Sequence, residues 1–113
     1  MAPHTHAKDG VDILRCKGDM NATAMVTFKN KVSRLMRRNH KRVLLDLNRT
    51  KHVDLAGLGI LVERIKKIRS IDGDIKLCNV PPQVRETFRL VGVSKLIESY
   101  TSEEEAIRSF HIA

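Results

Sequence analysis

The stretch Val53-Asp54-Leu55-Ala56-Gly57-Leu58-Gly59 holds the most distinctive local chemistry of the chain. It reads as a strand-to-helix junction. Asp54 can accept hydrogen bonds from free amides in the first helical turn, and its charge sits well against the helix dipole. Gly57 and Gly59 remove side chains where the backbone could approach something closely. A helix start with open amides is also a natural anion seat. The spacing is not that of a G-x-x-x-x-G-K-[ST] phosphate loop. The plainer alternative is that the glycines only fit helix against sheet.

Other reactive residues are scattered. Cys16 and Cys78 lie far apart inside apolar segments, which suits buried free thiols better than a metal site built from closely spaced ligands. His4 and His6 could bind metal weakly, while His40 and His52 border basic segments and read as surface residues. Asp46 inside the central strand reads either as a buried carboxylate with a shifted pKa or, more commonly, as a strand-end carboxylate bonded to backbone. Thr50 and Ser33 read as a loop and a helix-surface hydroxyl. No Ser or Cys has an identifiable base and orienting partner nearby in sequence. The reading therefore assigns no catalytic residue, no metal and no cofactor.

These residues need elements to hold them. Val11–Cys16 alternates in part and follows the turn signal Lys8-Asp9-Gly10, which predicts a strand, with residues 1–8 a weak edge strand or flexible. Lys17-Gly18-Asp19-Met20-Asn21 reads as a turn in which Asn21 or Asp19 caps a helix over about Ala22–Arg38. Met25, Phe28, Val32, Leu35 and Met36 give that helix one apolar stripe. Val43–Leu47 is a nearly continuous apolar run that suits a central strand. A second helix is expected over about Gly57–Ser70, with Leu58, Leu61, Val62, Ile65 and Ile68 inward. Setting Leu58 inward puts Ile60 about 200° round, on the outer face.

Beyond Asp72-Gly73, Ile75–Cys78 alternates as a strand. Pro81-Pro82 opens a third helix with Val84, Phe88 and Val91 on one face and Gly92 as its stop. Leu96-Ile97 is a short strand candidate. Thr101 or Ser102 starts a last helix with a capping-box pattern, docked by Ala106, Ile107 and Phe110. The order is α/β in character, and alternation of this kind favours parallel pairing with helices on the sheet.

The length, 113 residues, fits one domain over 1–113 with a core of about 11–110. The net charge of +8 is polarised. Lys29, Lys31, Arg34, Arg37, Arg38, Lys41 and Arg42 occur with no acidic residue between them, while Glu98 and Glu103–Glu105 lie near the end. Such polarity steers encounters with an acidic partner. With Lys66, Lys67 and Arg69 it also raises a nucleic-acid reading. No reading helix, zinc knuckle or aromatic stacking set accompanies it, and there are only three Phe, one Tyr and no Trp. The first residues lack the apolar core of a signal peptide, and no apolar run approaches the ~20 residues of a membrane span. A cytoplasmic protein with no membrane insertion is expected.

Val43-Leu44-Leu45-Asp46-Leu47, the Val53–Gly59 turn and Lys76-Leu77-Cys78-Asn79-Val80 together resemble the STAS domain family. Gly18-Asp19-Met20-Asn21 and Phe88-Arg89-Leu90-Val91-Gly92-Val93 extend the resemblance over about Val11 to Phe110. It implies a STAS-like mixed β-sheet of four to five strands packed against about four helices. It also implies a bacterial anti-sigma factor antagonist whose partner is an anti-sigma factor with a serine-kinase fold, or another ATPase. In such antagonists the turn reads Asp-Ser-Ser/Thr-Gly, and phosphorylation of the second hydroxyl releases the complex. That phosphoacceptor falls on Ala56 and the serine before it on Leu55, so the covalent switch is missing here. The resemblance puts partner contacts at Asp19, Asn21, Asp54, Leu55, Ala56, Gly57 and Leu58, and Ile60 joins them as an outward apolar residue beside the turn. An alternative within the family is a subunit of an ABC lipid-transport or sensory complex.

Overall fold

A computed structural model describes residues 6–111. The chain forms β1 (His6–Lys8), β2 (Val11–Arg15), α1 (Ala22–Arg37), β3 (Arg42–Asp46), α2 (Leu55–Arg69), β4 (Asp74–Cys78), α3 (Pro82–Leu90), β5 (Ser99–Tyr100) and α4 (Glu103–Ser109), with a 3-10 turn at Val93–Lys95. The strands lie in the order β1-β2-β3-β4-β5. β1 pairs antiparallel with β2, and every later neighbour is parallel. The expected α/β architecture of a five-stranded mixed sheet with four helices is what forms.

Local chemistry accounts for the ends of these elements. Asp9 and Gly10 both take positive φ, 53° and 76°, the backbone of a two-residue hairpin turn whose twist matches its strands. Asn21 caps α1 through a 2.9 Å bond from Ala24 N to its Oδ1. Ser102 does the same for α4 by accepting from Glu105 N. Gly92, at φ 82°, follows α3 and its cap.

The register aligns Leu14, Leu45 and Leu77 across three parallel strands. They and their same-face neighbours Val43 and Ile75 join Met25, Phe28, Val32, Leu61, Ile65, Ile68, Val84 and Phe88 in the larger core. The opposite face carries Val11, Ile13, Leu44 and Cys78 beneath Ala106 and Ile107 of α4. β3 is thus covered on both faces, the physical reason for its nearly unbroken apolar run.

Several expectations shift. α2 begins at Leu55 rather than Gly57, because Asp54 already takes the capping position. Val91 is 46 % exposed, since α3 has ended and Val93 and Ile97 fill the core face in its place. Leu96-Ile97 is not a strand. Leu96 keeps a helical backbone after the 3-10 turn, Ile97 serves the core, and pairing to β4 begins only at Ser99. Of residues 1–8, His6–Lys8 form the expected edge strand. Residues 1–5, and with them the weak metal binding expected at His4, lie outside the described residues.

Candidate functional site

Two turns meet at the end of the sheet where α1 and α2 begin. Met20, fully buried, forms an isolated parallel bridge with Val53. Its amide donates to His52 O at 2.8 Å, and its carbonyl accepts from Asp54 N at 3.1 Å. The Gly18–Asn21 turn and the Val53–Gly57 turn are therefore held as one unit by backbone bonds. Neither turn can move far without the other.

Each turn then caps a helix. Asp54 accepts from Gly57 N at 2.7 Å, as Asn21 accepts from Ala24 N. The first turn of α2 carries no acidic residue beyond this cap, so the positive end of its dipole is offset by Asp54 alone. Gly57 is buried, and a β-carbon there would overlap the Met20 carbonyl oxygen. The glycine is required by this close approach. Gly59, by contrast, faces open space and is exposed.

The surface these turns present is mixed. Asp19, Asn21, Asp54 and Ala56 are exposed, and Leu55 is 74 % exposed. Three expected contact residues are not on the surface: the buried Gly57 described above, Leu58 and Ile60. Leu58 is 3 % exposed and belongs to the core. Ile60 is half-buried and packed against that core, because α1 covers this flank of α2, which a single-helix projection does not show.

An exposed apolar residue on α1, Val26, was not evident in the sequence. Arg64 of α2 donates from Nη1 to Ser33 Oγ of α1 at 2.6 Å, which fixes the facing sides of the two helices. Both helices follow parallel strands and so run in the same direction. Val26 and Gly57 each lie seven residues before that pair, hence on the same facing sides and abreast. Val26 is 47 % exposed. It is an exposed apolar residue of α1 on the flank that faces the start of α2. It drew no notice in the sequence because it falls off the buried stripe.

A second polar cluster lies at the same end of the sheet, under α4. Asp46, Cys78 and Glu103 bring their donor atoms within 4.8 Å of one another, a grouping invisible in their sequence spacing. Its hydrogen bonds explain it. Asp46 accepts from Asn48 N at 2.9 Å and Asn79 Nδ2 at 3.2 Å, and Arg15 donates to both Glu103 oxygens at 3.1 Å. The bond to Asp46, with burial, raises the Glu103 pKa despite Arg15. Burial first, then the Asp46 charge, pushes the Cys78 thiol up to about 12. Such a thiol is unreactive. Cys16 is half-buried, and its thiol donates to Gly18 O at 3.4 Å.

Against known proteins, residues 2–106 match the model of the STAS domain. Over 105 residues the chain is 29% identical to BtrV of Bordetella bronchiseptica, described as an anti-sigma factor antagonist, with 93% of this chain and 90% of that one covered. A Thermotoga maritima protein of the same description superposes with a TM-score of 0.88 at 22% identity, covering 96% of this chain and 94% of its own. The Bacillus cell fate determinant SpoIIAA, in its phosphorylated form, superposes with a TM-score of 0.71 at 21% identity, covering 93% and 95%.

Proposed function

The chain belongs to the STAS domain family, and from that premise we propose that it is an anti-sigma factor antagonist that binds a kinase-type anti-sigma factor without being phosphorylated at the usual turn. The reading takes residues 1–113 as one domain and assigns it no catalysis. Its contact surface is the pair of joined turns, with Asp19, Asn21, Asp54, Leu55 and Ala56 outward. Gly57 and Leu58 support that surface from beneath.

The observation that carries the proposal is the exposure of Leu55 and Ala56 at the start of α2. By the resemblance of this turn to the antagonist pattern, an apolar residue and a methyl group take the places of its two hydroxyls. A phosphate would add roughly −1.5 to −2 charges at such a position and drive two packed surfaces apart. Alanine has no oxygen to accept it. Leu55 is in turn well placed to bury apolar area in a complex, at about 25 cal/mol per Å² removed from water. The relatives' descriptions as antagonists support the partner class.

The test is a titration of the chain against a kinase-type anti-sigma factor from its own cell. Saturable binding that Leu55→Asp and Ala56→Asp each weaken at least tenfold is the expected result. Full affinity in both variants would place the contact elsewhere.

A further inference from the structure

The end of the molecule opposite the joined turns carries a different surface. There α1 runs into β3 and α2 into β4, and the two connections touch. Asp74 N donates to Lys41 O at 2.9 Å, and Lys41 Nζ donates to Ile71 O at 3.1 Å. Arg37, Arg38, Arg42, Lys66 and Lys67 surround this junction, all exposed. None of the five makes an ion pair among the described residues. Of the carboxylates at this end, Asp74 and Asp12 are engaged by Arg69 and His40, while Asp9 and Asp72 are exposed and make no ion pair among the described residues. In the midst of these cations Ile71 is 39 % exposed.

Cations at helix C-termini are expected, since each helix end carries about half a negative charge. Two helix ends account for about one negative unit, and Asp9 and Asp72 add two more; five unpaired cations still exceed them. From these observations we propose that this end is a peripheral docking surface for an anionic phospholipid membrane.

The chemistry favours a lipid surface over a nucleic acid. Both helices present carbonyl ends here, so no row of backbone amides grips a phosphate in fixed geometry. The cations are long flexible side chains, suited to a diffuse anionic plane. Ile71 has no counterpart in a sugar-phosphate backbone but can enter the headgroup boundary of a bilayer. α2 spans about 20 Å between the two ends, so a partner held at the turns leaves this surface free.

The test is sedimentation of the full chain with vesicles of phosphatidylcholine alone and of phosphatidylcholine mixed with phosphatidylglycerol. Retention on the mixed vesicles only, released by salt, is expected. Each cation removed should weaken it roughly fivefold, so Arg37→Ala, Arg38→Ala and Lys67→Ala together lower it roughly a hundredfold. Ile71→Ser should weaken it further, and Leu55→Ser should leave it unchanged. No retention, equal retention on neutral vesicles, or an undiminished triple variant would overturn the proposal. So would a DNA duplex that binds more tightly than the mixed vesicles at the same salt.

Discussion

Gly57 lies so close against Met20 that a β-carbon on it would come within 2.9 Å of the Met20 carbonyl carbon, and closer still to its oxygen. This contact joins the two turns of the candidate site and leaves no room for a side chain. Gly57→Ala should force them apart at a cost of about 1–3 kcal/mol, as overpacking typically does. Gly59→Ala, two residues on and facing open space, should instead stabilise the protein by up to about 1 kcal/mol through helix propensity. Urea denaturation of both variants checks the pair. Equal effects would mean that the close approach does not constrain the fold.

Leu55 supports a prediction of the opposite kind. It is 74 % exposed, so Leu55→Ser should change stability by no more than about 0.5 kcal/mol. Partner affinity should fall at least fivefold in the same variant. A melting curve and a binding titration on one preparation separate the two. A large loss of stability would show that Leu55 belongs to the fold and not to a contact surface.

Much of this was legible in the sequence. Asn21, Asp54 and Ser102 announce helix starts because capping is a local interaction, settled within three residues. The apolar run of β3 signals a strand covered on both faces for the same reason: periodicity is read along one element. What stayed hidden depends on two elements at once. Ile60 projects outward from α2 alone, yet the flank it occupies is covered by α1. Val26 gains meaning only once Ser33 and Arg64 fix how the helices face each other. Leu96-Ile97 has strand-like composition, but the turn at Gly92 delays pairing until Ser99.

His40 reaches from the surface to a buried carboxylate, with Nδ1 3.0 Å from Asp12 Oδ2. Asp12 is 4 % exposed, and this is its one side-chain partner among the described residues. His40→Ala strands it, and an unsatisfied buried acceptor costs about 1–3 kcal/mol. Denaturation should show that loss, and the double variant His40→Ala, Asp12→Leu should recover part of it. A single variant as stable as the parent would contradict this role.

The Glu103 cluster carries a pH signature. Its pKa is raised, first by the hydrogen bond with Asp46 and then by burial. A carboxyl raised on folding binds its proton more tightly in the folded state. Its stabilising contribution is full below its unfolded pKa and is lost as pH rises through the folded value. Melting temperatures measured from the acidic carboxylate range to neutral pH should therefore fall for the wild type relative to Glu103→Gln, which cannot titrate. Parallel profiles would show that α4 docks without a shared proton.

The central claim is that the joined turns bind a kinase-type partner and that Ala56 prevents the phosphate release. The most direct measurement is incubation of the chain and its Ala56→Ser variant with that partner and labelled ATP, followed by separation of free and bound protein. The wild-type complex should persist unlabelled, while the serine variant becomes labelled at the turn and dissociates. Label on the wild-type turn segment, or a wild-type complex that ATP disperses, would contradict the account.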